Sequence, residues 1–144
     1  MGRLPETPLA IPLRVLGRAH RSIVALYLFG SQATGKQGPL SDVDVAVLLD
    51  GKKVPPKQFF SFRLELIGAA TRACRRPDVD VVILNEVSPV LKYEVVRSGR
   101  LVYERNRTAR VGFEAAVAQR YFDLEPFYQV SRFYLKRQLL ARHG

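Results

Sequence analysis

A chain of 144 residues, 47% hydrophobic and 25% charged, has the size of one domain and the balance of an ordinary globular protein, able to bury roughly two-thirds of its unfolded surface. This excludes a disordered chain, while a single Cys74 with only His20 and His143 excludes an internal disulfide and a Cys/His zinc cluster. The net charge of +10 describes a basic body that attracts polyphosphates or nucleic acid, a reading weighed equally with a merely solvated basic surface.

No apolar run approaches the about 18 residues of a membrane span, and PLAIPLRVLG is interrupted by Pro12 and Arg14, unlike a signal peptide. A cytoplasmic protein with no membrane partner is expected. Residues 8–20 suggest a first helix with Leu9, Leu13, Val15 and Leu16 turned inward. SIVALYLFG, residues 22–30, is apolar and β-branched enough for a strand buried on both faces, and its end delivers Gly30 and Ser31. Glycine lets a backbone approach a ligand closely. Gly30, the Ser31 hydroxyl and the N–H groups opening a short helix are therefore candidates to hold the terminal phosphates of a nucleotide. The alternative is a plain strand-to-helix turn with Ser31 as its cap.

Ten residues separate Ser31 from Asp42-Val43-Asp44, which heads an apolar run over 43–49 that reads as a central strand. Side chains at i and i+2 share a strand face, so Asp42 and Asp44 present two carboxylates side by side. At about 4 Å two such charges repel by roughly 4 kcal/mol at an effective dielectric near 20, which a divalent cation relieves. Hard oxygen ligands at this spacing suit Mg²⁺. Residues 30–50 hold one lysine against three aspartates, so the acidic patch of this basic chain is the motif itself.

A rival motif overlaps it. Gly30 to Lys36 satisfy the first seven positions of a P-loop. Against this, Gln37 stands where a metal-binding hydroxyl belongs, and Gly38-Pro39 stops the helix that a P-loop opens. Only 13 residues separate Lys36 from Asp50, too few for a helical crossover and a parallel strand.

Pro55-Pro56 open a helix to about Cys74, with Phe59, Phe62, Leu66, Ala69 and Ala73 as a core stripe. Arg72, Arg75 and Arg76 at its end are favoured by the helix dipole more than by a role on phosphates. Asp78-Val79-Asp80 then heads a strand, VDVVIL, so four of the six aspartates lie in two Asp-x-Asp units, each before an apolar strand. The plain alternative makes Asp78 a turn residue and Asp80 a solvated edge charge. Ser88-Pro89 cap and begin a helix that Gly99 ends before the strand LVYE. From Arg107 a long helical stretch follows, broken or restarted near Asp123, where Pro126 suits a first turn. Its apolar positions are too many for one face, and aromatics interleaved with Arg120, Arg132, Lys136 and Arg137 suit either a partner interface or a tail folded over its own domain.

The Gly-Ser turn, ten residues, Asp-x-Asp and a further strand-borne Asp, followed by SPVLKYEVVRSGRLVYER, resemble the nucleotidyltransferase superfamily whose palm domain is shared with DNA polymerase beta. Over residues 22–106 the chain is similar to the minimal nucleotidyltransferases, which include the MntA-type antitoxins that partner HEPN-domain toxins. The resemblance implies an α/β fold, a palm-like small mixed sheet with flanking helices and a helical C-terminal tail, divided into a nucleotidyltransferase domain over 1–106 and an extension over 107–144 that packs on it or on a partner. It selects Asp80 as the third carboxylate, making Asp42, Asp44 and Asp80 the catalytic and Mg²⁺ ligands. It gives Gly30 and Ser31 to the leaving phosphates, with Lys36 the only cation where relatives carry arginine. The implied reaction transfers AMP from ATP to a hydroxyl, a tyrosine of a HEPN-domain toxin, on two Mg²⁺ ions. Competing readings are a nucleotidyltransferase acting on a small molecule or an RNA end, and an antitoxin that acts by binding alone. Nucleic acid is the weaker candidate as partner, and a homo- or hetero-oligomer is compatible with the pattern.

Overall fold

A computed structural model describes residues 7–30 and 42–143. Four strands, β1 (Ile23–Phe29), β2 (Val43–Leu49), β3 (Val79–Ile83) and β4 (Arg100–Glu104), form one sheet in the order β3-β2-β1-β4. β2 runs parallel to β3, whereas β1 is antiparallel to both β2 and β4. The sheet is therefore small and mixed, and β2 is an inner strand, as its unbroken apolar run requires. The antiparallel pairing of β1 and β2 also removes the P-loop reading, since that motif joins parallel strands through a crossover.

Helices α1 (Ala10–Ala19) and α2 (Phe59–Cys74) cover one face, and α3 (Pro89–Ser98) and the first part of α4 (Arg107–His143) cover the other. Leu13, Leu16, Leu28, Val45, Val47, Leu66, Val81 and Val102 share the first core. Tyr27, Ala46, Leu48, Leu84 and Val95 share the second. Each large apolar side chain so buried contributes about 1.5–3 kcal/mol. α1 departs from expectation at Val15, which is 56% exposed, because the helix turns Leu13, Leu16 and Gly17 inward. Gly17 lies against the Tyr103 ring of β4, and a Cβ there would stand 2.4 Å from Tyr103 Cδ1. Gly17→Ala is expected to destabilise the fold by about 1–3 kcal/mol, read as a lowered denaturation midpoint, because a buried ring has little room to yield.

Local chemistry sets the element ends. Pro56–Gln58 form a 3₁₀ turn ahead of α2, and Arg75 caps α2 in the left-handed conformation (φ 55°). Ser88 Oγ accepts the Leu91 N–H at 3.3 Å to begin α3. Gly99 ends α3 by another route than the left-handed cap, for its φ is −73°. A Cβ at Gly99 would meet Val95 O of α3 at 2.4 Å and Leu28 O of β1 at 3.2 Å, so the residue serves the tight exit of α3 beside β1. Asn85 bridges the end of β2, donating to Leu49 O and accepting from Leu49 N–H, each at 2.9 Å.

The long tail corrects one expectation. α4 runs without a break from Arg107 to His143, with Pro126 inside it. No glycine occurs from Phe113 to His143, so nothing in the sequence terminates the helix, and the roughly 3 kcal/mol cost of an interior proline is borne within a long helical run. The first half of α4 is anchored. Tyr27 donates to Glu114 Oε1 at 2.6 Å, and Arg110 pairs with Glu104 at 2.5 Å and Glu114 at 2.9 Å. Burial, then the hydrogen bond to the Glu114 carboxylate, pushes the Tyr27 hydroxyl far above its usual range, so it stays a donor.

Candidate active site

The end of β1 and the starts of β2 and β3 converge on one margin of the sheet. Asp44 is opposite Asp80 across the parallel β2–β3 pair and opposite Phe29 across β1. Residues in register on neighbouring strands turn the same way at a strand spacing of about 4.8 Å, so the two carboxylates share a face. Asp42 lies just before β2 and is exposed. The Asp44 carboxyl is raised above its usual range, first by burial and then by the charges of Asp80 and Asp42. Gly30 closes the arrangement at φ 68°, where a Cβ would stand 2.8 Å from Asp44 Oδ2. Only glycine lets the chain turn here and leaves that oxygen in place. Gly30→Ala is expected to add about 1–2 kcal/mol of backbone strain and to displace the carboxylate, lowering any activity that depends on this site about tenfold in an initial-rate assay. Ser31 and Lys36 lie outside the described residues.

The second Asp-x-Asp unit divides its labour. Asp78 accepts two hydrogen bonds from Arg76, from Nε at 2.9 Å and Nη2 at 2.6 Å, and this fork holds its carboxyl below the usual carboxylate range. Arg76 is thus committed to Asp78. Asp80 faces outward, its Oδ1 accepting the Val81 N–H at 2.9 Å and Arg63 Nη2 at 3.0 Å, while Arg63 Nε donates to Val81 O at 2.6 Å. β3 is an edge strand, and these bonds close the open N–H and C=O of Val81.

Oxygen donors on Asp42, Asp44 and Asp80 suit a hard divalent cation, and the raised Asp44 carboxyl marks a concentration of negative charge that such an ion would offset. Among the described residues no three acidic, His or Cys side chains gather closely enough to hold one ion as they stand. The Arg63 bond draws Asp80 towards the strand edge. With side chains 34% and 55% exposed, that pair is worth at most about 1 kcal/mol, which a divalent cation can outcompete. The donor set therefore fits Mg²⁺.

Residues 14–108 match the polymerase beta nucleotidyltransferase family. The chain belongs to that family. It is 34% identical over 83 residues to the protein adenylyltransferase MntA of Aphanizomenon flos-aquae, 55% of each chain, so the match spans about half the length of that curated relative. Among solved structures, a toxin–antitoxin with AMP-PNP is 26% identical with a TM-score of 0.70, covering 88% of this chain and 98% of that one. A mutant MntA–HpeT toxin–antitoxin is 27% identical with a TM-score of 0.66, covering 93% and 99%. The nucleotidyltransferase fold is common to them, and no described helix is long and apolar enough to cross a membrane.

Sequence reasoning missed Arg63. Its place in the middle of α2 carries no local signal, because the contact depends on α2 crossing the sheet beside β3. The Tyr27–Glu114 bond, spanning 87 residues, was equally out of reach.

Proposed function

We propose that this nucleotidyltransferase is an antitoxin that moves AMP from ATP to a hydroxyl, a tyrosine, of a HEPN-domain toxin in the cytoplasm. The observation that carries the reading is the register of Asp44 against Asp80 beside the left-handed Gly30 turn. The AMP-PNP in a similar toxin–antitoxin structure and the adenylyltransferase relative support the choice of nucleotide and reaction. Asp42, Asp44 and Asp80 would hold Mg²⁺. When bound, the metal supplies charge neutralisation at phosphorus and a lowered pKa for the acceptor hydroxyl.

The chain's own residues supply position. Asp44 is fixed by an inner strand, by Gly30 on one side and β3 on the other, so its carboxylate needs no reorganisation to act. Gly30 permits a close backbone turn against the leaving phosphates, with Ser31 and Lys36 contributing from the segment that follows. Asp78, spent on Arg76, orders the approach to β3 and stays out of the chemistry.

Intact mass spectrometry of the toxin after incubation with ATP and Mg²⁺ tests the proposal. Substoichiometric protein is expected to add whole AMP increments to the toxin, and the modification should outlast removal of the protein. Neutralisation at equal strength without nucleotide, with no mass change, would show an antitoxin that acts by binding alone.

A further inference from the structure

At the end of the sheet away from the carboxylates, a cleft of about 740 Å³ opens between the turn after β2 and the start of α4. Arg21, Lys52, Lys53, Arg105 and Arg107 line it against a single carboxylate, Asp50. None of the five cations is in an ion pair among the described residues. Arg105 spends its guanidinium on the carbonyls of Ile23, Gly17 and Arg18, which hold it in place and leave its charge uncompensated. The cleft also takes in the first turn of α4, a 37-residue helix with no acidic residue in that turn. A helix start favours negative charge, yet Arg107 stands there, so helix dipole and side chains add to one positive field.

This field extends. A second cleft of about 390 Å³ between α3 and α4 carries Lys92 and Arg120 and shares Phe113 with the first. The result is a basic track with a half-buried aromatic ring at its middle. Asp44 and Asp50 are six residues apart along an extended strand, which puts this track about 20 Å from the carboxylate margin.

We propose that the track binds single-stranded nucleic acid, its phosphates against the cations and a base over Phe113. Two joined clefts suit a chain better than a single phosphate or mononucleotide. An aromatic ring between cations is the arrangement by which backbone charge and base stacking are read together, and an acidic peptide would have no use for it.

Fluorescence anisotropy of a labelled single-stranded RNA of about twelve nucleotides with the full chain tests this. Wild type is expected to bind with an affinity that falls linearly on a logarithmic salt axis. Lys52→Glu with Arg107→Glu, both exposed positions, should weaken binding at least tenfold and make the salt slope shallower by about 1.4. Arg21→Glu with Lys53→Glu should do the same, giving a second pair should the first fail to fold. Lys136→Glu, an equal change of charge per site on the outer half of α4, should leave affinity within twofold. Equal weakening by Lys136→Glu, equal affinity for polyglutamate of matched charge, or binding of inorganic triphosphate without binding of RNA would each overturn the proposal.

Discussion

Asp44→Asn is expected to lower nucleotidyl transfer by about 10³-fold or more while raising the melting temperature of the cation-free protein. The first effect follows from the position of Asp44 between Gly30 and Asp80 and from its proposed role as the metal donor shared across the site, since removing such a ligand forfeits several kcal/mol of transition-state stabilisation. The second follows from linkage. The folded-state pKa of Asp44 is raised above its ordinary 3.8, so at neutral pH the ionised form costs stability; the cost falls as pH drops through the raised value and is gone below the unfolded value. Asparagine keeps the shape and removes the charge. Each kcal/mol relieved is worth about 2–4 °C. Added Mg²⁺ should then raise the melting temperature of wild type by mass action and leave that of the variant unmoved. A melting temperature lowered by the substitution, with transfer retained, would place Asp44 among ordinary structural carboxylates.

The readable parts of this chain are those whose neighbours are local or strictly periodic. β2 is legible because beyond Asp44 the run Val45 to Leu49 is apolar on both faces, and only an inner strand hides both. The end of β1 is legible because Gly30 follows a β-branched run, and its positive φ is what glycine is for. Ser88 announces α3 through a bond only three residues long. The errors have a common physical origin. Hydrophobicity alone puts Val15 inward, whereas the inward face of α1 is fixed by Gly17 docking on Tyr103, a contact across the fold. The expected break or restart near Asp123, with Pro126 in a first turn, follows from local propensity alone and fails against a helical run with no competing stop. For the site, Asp44 facing Asp80 required knowing that β2 and β3 pair in parallel, which their separate Asp-x-Asp patterns suggest and only the register states. The cations of the first cleft come from three separate stretches of sequence, so no window of residues could have gathered them.

Placing two negative charges on the outer half of α4, Phe127→Glu with Tyr134→Glu, is expected to weaken binding of the proposed HEPN-domain toxin partner about 100-fold and to leave ATP affinity unchanged. Among the described side chains Val117 is the last of α4 that is buried, and the stacking of Tyr121 on Tyr93 at 3.9 Å joins the helix to α3 one turn later. Beyond it the helix still presents Phe127, Val130 and Tyr134, which are 68%, 54% and 59% exposed and recur at the i, i+3, i+7 spacing of a single stripe. Two aromatic rings and a valine on one stripe expose roughly a few hundred Å² of apolar surface, the size of the largest patch on a typical monomer, which is often a functional one. Arg137, which is exposed, borders the stripe at about 100° per residue and supplies part of the polar rim that interfaces carry. Aromatic anchors of this type are worth about 2–4 kcal/mol each when desolvated, which sets the hundredfold figure as a lower-end value for the pair. Since neither residue touches the sheet, circular dichroism should show an unaltered fold, and calorimetry with ATP should read the same Kd as wild type. Unchanged toxin affinity in that folded variant would move the interface elsewhere on the molecule and leave the outer half of α4 without a role in recognition.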